Sequence, residues 1–312
     1  MRADILFRQY TWLLSTIKRA GRISLEEINR KWMDNRDLSD GNPLSRSTFI
    51  RHKEAIENIF GITIGCDPAA GYGYYIENAD LLENDSLQSW MLSTLSVNNV
   101  LADSKNISDR IILEAIPSDG DHLHQILDAM KENTRIEVTY RKFGSDHNSY
   151  MKVEPYFVKL FSRRWYAIVR HAEKGMLFPI ALDRVVEIET TAEHFEIPDD
   201  FSPSEFMKHQ FGVMIAEDME PKRVVIRAFG KEADYLRTLP IHASQREIDV
   251  TPDWTDFELN VRITYDLTTP LLARGASIKV LEPSFLAEEL MYAHDDAVRL
   301  YSDEFELLEP EN

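Results

Sequence analysis

The 312-residue sequence holds a single cysteine, Cys66. That excludes an internal disulfide and any cysteine-built zinc cluster, and it suits a reducing compartment. Glycine and proline are sparse, at 12 and 13 residues. No apolar run approaches the ~18–20 residues that a membrane-spanning helix requires. The opening Met1-Arg2-Ala3-Asp4 leads into an amphipathic segment rather than a signal peptide. A soluble cytoplasmic protein is the expectation.

An excess of positive charge is also missing: the formal net charge is −18, which at first argues against nucleic acid. Its distribution argues otherwise. Residues 1–80 carry 11 basic and 11 acidic side chains, residues 131–190 carry 11 and 8, and residues 191–312 carry 11 and 26. The acidity lies in the C-terminal segment and in residues 81–130, where it reads first as a solvated surface. Assembled catalytic motifs are absent as well. His122 and His124 are two apart and cannot share a helical face, and no Gly-x-Ser-x-Gly elbow occurs. Neither an enzyme nor a metal or cofactor site is expected.

What is present is enough apolar side chain for sizeable cores, with hydrophobic residues at 44% and aromatics at 10% of the chain. Residues 4–20 have helical apolar spacing, and Gly21 stops the run. Ser24 and Glu27 form a capping-box pattern that opens a second helix to about Trp32. Asp37–Pro43 reads as a loop, and Ser45 or Ser47 caps a third helix with Phe49, Ile56 and Phe60 on one face. Ile62–Ile64 and Tyr72–Ile76 flank a turn and read as a hairpin. Three helices and a hairpin outline a winged helix-turn-helix over residues 1–80.

Residues 81–130 read as a helical linker suited to dimerisation, with Leu87, Met91, Leu95 and Ile111–Leu113 as its apolar positions and a break at Pro117–Gly120. Beyond Arg135 the period becomes two. Short strands at Ile136–Tyr140, Met151–Val153, Tyr156–Leu160, Arg164–Val169, Leu177–Ala181 and Val185–Thr190 predict a small antiparallel barrel or sandwich over residues 131–200. Residues 201–312 follow a βαββαβα order, an α+β unit.

In the third helix, Arg46, Ser47, Thr48, Arg51, His52 and Lys53 are the candidate DNA contacts, because the N-terminal half of such a helix enters the major groove. Phe49 and Ile50 are expected to face the core. In the hairpin, Tyr72 is the expected contact and Tyr74 the structural aromatic.

Arg164-Trp165-Tyr166-Ala167-Ile168, Leu182-Asp183-Arg184-Val185 and Val153-Glu154-Pro155-Tyr156 resemble the WYL domain. Leu239–Gln245, Gly275 and Val280-Leu281-Glu282-Pro283 resemble the extension that often follows it. With the N-terminal segment, the order resembles bacterial WYL transcriptional regulators. The resemblance implies a multidomain α and β protein: a winged helix-turn-helix, a linker, an Sm-like SH3-type β-barrel and a C-terminal α+β extension. It also implies a homodimer that binds double-stranded operator DNA and senses a ligand through the barrel.

Tyr156, Lys159, Arg163, Arg164, Tyr166 and Arg184 are the candidate effector residues, since arginine forks fit phosphate and rings stack on bases. Single-stranded DNA, an oligonucleotide, a nucleotide or another anionic ligand is the expected effector. Trp165 is expected to be structural. Ala167 stands where the family name has leucine. Phe178 and Ala181 replace arginines usual in the family, so a less cationic pocket is expected. The competing reading is an adaptor whose N-terminal helices dock a protein and whose barrel binds RNA or a nucleotide.

Overall fold

The computed structural model describes residues 3–68, 71–82, 88–92, 94, 110, 112 and 120–306. The chain divides into two compact units, Met1–Glu114 and Ala115–Asn312.

In the first unit, helices α1 (Ala3–Ala20), α2 (Leu25–Asp34) and α4 (Arg46–Phe60) enclose one core, with a short α3 (Arg36–Ser39) overlapping the start of the expected loop. The capping box at Ser24 and Glu27 is formed, and Gly61 ends α4 in the left-handed region at φ 65°. Leu13, Leu14 and Ile17 of α1 meet Ile28 and Trp32 of α2 and Phe49, Ile56 and Phe60 of α4. β2 (Ile64–Asp67) and β3 (Gly73–Ile76) form the hairpin. A two-residue β1 (Arg22–Ile23) joins its far edge, giving the order β1-β3-β2. Residues 88–92 are helical. Leu87, Leu95, Ile111, Leu113 and Pro117–Asp119, all named for the linker, lie outside the described residues.

The second unit opens with α5 (Gly120–Glu132), a segment assigned by its sequence to the linker. It packs instead on the following sheet, where Ile126 and Ala129 join the buried cluster of Ile136, Val138, Val153, Ala167 and Val169. The sheet comprises β4 (Thr134–Tyr140), β5 (Ser149–Phe161), β6 (Arg164–His171), β7 (Leu177–Ala181) and β8 (Val185–His194). All pairings are antiparallel in the order β7-β6-β5-β4-β8.

No ladder joins β7 to β8, so the expected barrel is not closed by hydrogen bonds. The 3₁₀ turn Leu182–Arg184 carries the chain from β7 to a pairing with β4 instead. The two strands expected on either side of Pro155 are one strand. Proline lacks the N–H that a ladder needs, and the register shifts between Pro155 and Phe157.

The extension has α6 (Pro203–Met207), β9 (Lys222–Phe229), α7 (Glu232–Thr238), β10 (Arg246–Val250), β11 (Trp254–Val261), α8 (Tyr265–Leu272), β12 (Ile278–Glu282) and α9 (Ser284–Glu306). Its antiparallel sheet runs β10-β11-β9-β12. Val224, Ile226, Phe257 and Leu259 on one sheet face pack with Leu236, Leu267, Leu271 and Leu286 of the helices. No helix among the described residues is long and apolar enough to cross a membrane, and those residues hold no cluster of potential metal ligands.

Candidate nucleic-acid interface and effector site

The start of α4 is fixed by its cap. The Ser45 hydroxyl accepts the Thr48 N–H at 3.1 Å, and Ser45 Oγ donates to Thr48 Oγ1 at 2.8 Å. Helical periodicity then sorts the side chains. Phe49, His52, Ile56 and Phe60 are buried; Arg46, Ser47, Ile50, Arg51 and Glu54 are exposed; Thr48 and Lys53 are half-buried. Lys53 lies 3.7 Å from Glu57, one helical turn on.

Two expected positions on α4 differ in the structure. His52 is fully buried and cannot touch DNA: its ring meets Tyr10 edge-on at 5.1 Å and lies 6.4 Å from Trp32. Burial, with the Arg51 charge second, lowers its pKa to about 4. Ile50, assigned to the core, is 44% exposed on the face with Arg46 and Arg51.

Tyr72 stands exposed beside the hairpin turn, at φ 58°. Tyr74 packs edge-on against Phe49 at 4.6 Å, as its structural assignment requires. The Tyr74 hydroxyl is pushed above its ordinary pKa, first by burial and then by Cys66.

In the second unit the structure gathers only part of the expected effector set. Arg184 and Arg164 converge on a ring absent from that set, Phe143, with guanidinium-to-centroid distances of 4.6 and 5.5 Å. Arg184 also lies 5.7 Å from the Tyr140 ring. Asp183 sits between the arginines, 3.3 Å from Arg164 and 4.0 Å from Arg184. The Tyr140 hydroxyl accepts the Ala181 N–H at 3.3 Å; burial raises its pKa, opposed first by that hydrogen bond and then by Arg184. Tyr166 is half-buried on β6, paired in register with Lys159 and Ala181.

The loop after β4 holds Phe143 out at 69% exposure. This patch therefore presents an exposed aromatic ring beside two guanidinium groups, with the Asp183 carboxylate between them; in general a ring can stack on a base and a guanidinium can pair with a phosphate. The signal in the sequence was the lone aromatic of Arg141-Lys142-Phe143-Gly144, interleaved with basic residues.

The remaining three assigned effector residues are Tyr156, Lys159 and Arg163. Tyr156 is 7% exposed, stacked on Phe195 at 6.0 Å and edge-on to Phe201 at 5.0 Å, so it is a core aromatic. Lys159 donates to the Gly212 carbonyl at 2.6 Å and is drawn into the extension. Arg163 occupies the tip of the β5–β6 hairpin, where Ser162 and Arg163 take φ 47° and 65°. Trp165 packs against the sheet core, as expected.

Comparison with curated proteins found no match. Among solved structures, proteasome accessory factor B/C (PafBC) of Arthrobacter aurescens is 16% identical, with a TM-score of 0.35 over 93% of this chain and 46% of that one. The chain thus spans under half of that relative's length. A second solved structure, described as a CRISPR Cas-related protein, is 12% identical, with a TM-score of 0.39 over 96% of this chain and 85% of that one. The family model for the WYL domain matches residues 121–190, and the chain contains a WYL domain there.

Proposed function

We propose that the protein is a DNA-binding transcriptional regulator whose WYL domain senses an anionic, nucleic-acid-derived effector and changes operator affinity. The N-terminal unit serves as a winged helix-turn-helix, with α4 in the major groove and the Tyr72 hairpin as the wing. The barrel-like sheet receives single-stranded DNA, an oligonucleotide or a nucleotide at Phe143, Arg164 and Arg184. The protein works as a homodimer on a palindromic operator, with half-sites about 10 base pairs apart or a multiple, and without catalysis.

The observation that carries this reading is the solvent face of α4. Arg46, Ser47 and Arg51 stand exposed on a helix locked to its core by Phe49, Ile56 and Phe60. Arginine can hold a guanine edge with two donors, and a short hydroxyl reaches bases or phosphates. Support for the effector comes from the WYL match together with the arginine–aromatic patch inside it.

The test is selection from random duplexes by the full-length protein at fixed, near-physiological salt, with and without a short single strand. Enrichment of one duplex sequence, altered by the single strand, is expected. Arg51→Ala should lose operator binding and keep single-strand binding, and Arg184→Ala should do the reverse. No enrichment by folded protein would overturn the regulator and favour a protein-docking adaptor.

A further inference from the structure

The exposed face of α4 is not purely polar. Arg46, Ile50 and Glu54 follow one another at four-residue spacing, with Ser47 and Arg51 beside them, all exposed. Side chains four apart lie one above the other on a helix, so Ile50 occupies the middle of this surface. A single exposed isoleucine is ordinary on a protein. Its position is not, because it takes the central place on the helix face proposed to meet the base edges.

Isoleucine has little to offer there except shape and apolar surface. Its β-branched side chain is stiff at χ1, so its methyl groups are held in place. It can make no phosphate contact. Of the groups displayed in the major groove, only the C5-methyl of thymine is apolar.

We propose that Ile50 reads a thymine methyl group in the operator, making this position a determinant of base preference rather than of affinity for the backbone. The inference rests on α4 entering the major groove. Arg46 and Arg51 flank the contact with charge, and Ile50 supplies discrimination between thymine and the other bases at one place.

The experiment pairs a protein change with a DNA change, using the full-length chain and the selected operator. Each thymine of the operator is replaced in turn by deoxyuridine, which removes the methyl and leaves every hydrogen-bonding group. At one thymine the wild-type protein should lose about fourfold in affinity, the factor that burial of one methyl gives. Ile50→Ala should weaken binding to the thymine operator by a similar factor or more. It should then bind the thymine and uracil duplexes equally at that place. Ile50→Val should fall between wild type and Ile50→Ala.

The salt dependence of Ile50→Ala should match wild type, because no phosphate contact is lost. A melting curve at the wild-type position establishes that the variant is folded. Indifference of the wild-type protein to uracil at every thymine would overturn the inference while leaving the regulator intact. So would an Ile50→Ala protein that keeps the full uracil penalty. Failure to select any operator overturns the regulator reading, and the inference with it.

Discussion

Lys159 on β5 reaches across to the extension and donates to the carbonyl of Gly212 at 2.6 Å. The residues that follow are held by Asp266, whose Oδ2 accepts the N–H groups of Val213 and Met214 at 2.7 and 2.8 Å. Burial lowers the Lys159 pKa, and Asp266 opposes that shift. A lysine thus leaves the expected effector set because it ties the WYL sheet to the C-terminal extension.

This clamp makes Gly212 sensitive to substitution. Gly212 has φ 75°, and a Cβ placed on it would lie 2.3 Å from Asp266 Oδ2. Gly212→Ala therefore combines left-handed backbone strain with displacement of the carboxylate, at a cost of about 2 kcal/mol. The melting temperature should fall by about 5 °C. Asp266→Asn should also destabilise, since it weakens two charge-assisted bonds. A wild-type melting temperature for Gly212→Ala would show that the segment is free to relax.

Phe143 provides a test of the effector patch that leaves the fold alone, because its ring is largely in solvent. Phe143→Ala should weaken binding of a short single-stranded oligonucleotide roughly tenfold, the loss of one stacked base. Operator affinity without the oligonucleotide should stay at the wild-type level. Phe143→Tyr should retain the binding. Fluorescence anisotropy with a labelled oligonucleotide reads all three, and equal binding by Phe143→Ala and wild type would remove Phe143 from the site.

Much of the fold was legible because local chemistry and period agree. Ser24 with Glu27, Gly61 after Phe60, and the alternation at Ile136, Val138 and Tyr140 each name an element directly. The site was less legible, because residue type and helical phase disagree on α4. His52 has the chemistry of a DNA contact, yet it lies three residues from Phe49 and four from Ile56, on the core stripe. Ile50 has core chemistry and lies off that stripe. In both cases phase decided. Tyr156 was obscured differently: strict alternation fails at the register shift after Pro155, and no sequence period marks a bulge. Phe143 stands in a loop, where period carries no information at all.

The buried Glu154 carboxylate predicts a stability effect unconnected with either site. It is 1% exposed and receives Arg135 Nε at 2.9 Å and Arg170 Nη1 at 3.1 Å. Arg135 reaches Glu193 as well, and Lys152 meets Glu193 at 2.7 Å. Removing the central charge takes from Arg170 the carboxylate it meets at 3.1 Å and leaves Arg135 to Glu193. Glu154→Gln should destabilise the second unit by about 2 kcal/mol, since a broken buried pair costs more than its formation contributes. Denaturant unfolding measures the loss, and an unchanged midpoint would show that the arginines find other partners.

His52 predicts how the first unit responds to acid. Its ring is sealed by Tyr10 and Trp32, the Arg51 charge is near, and neither ring nitrogen has a hydrogen-bond partner. The folded pKa is lowered from 6.5 to about 4. Between those values the unfolded chain binds one more proton than the folded one, so stability rises with pH there. His52 thus favours folding fully above pH 6.5, and that contribution is lost as pH falls towards about 4.

Lowering the pH from about 7.5 to 5.5 should therefore cost about 1 kcal/mol. Hydrogen exchange of the α4 amides in the full-length protein reads this locally, as faster exchange at the lower pH after correction for intrinsic rates. His52→Leu removes the titrating group while keeping an apolar side chain in the pocket. Its exchange should lose that pH dependence. An α4 that responds to pH equally with and without His52 would place the acid sensitivity on other groups.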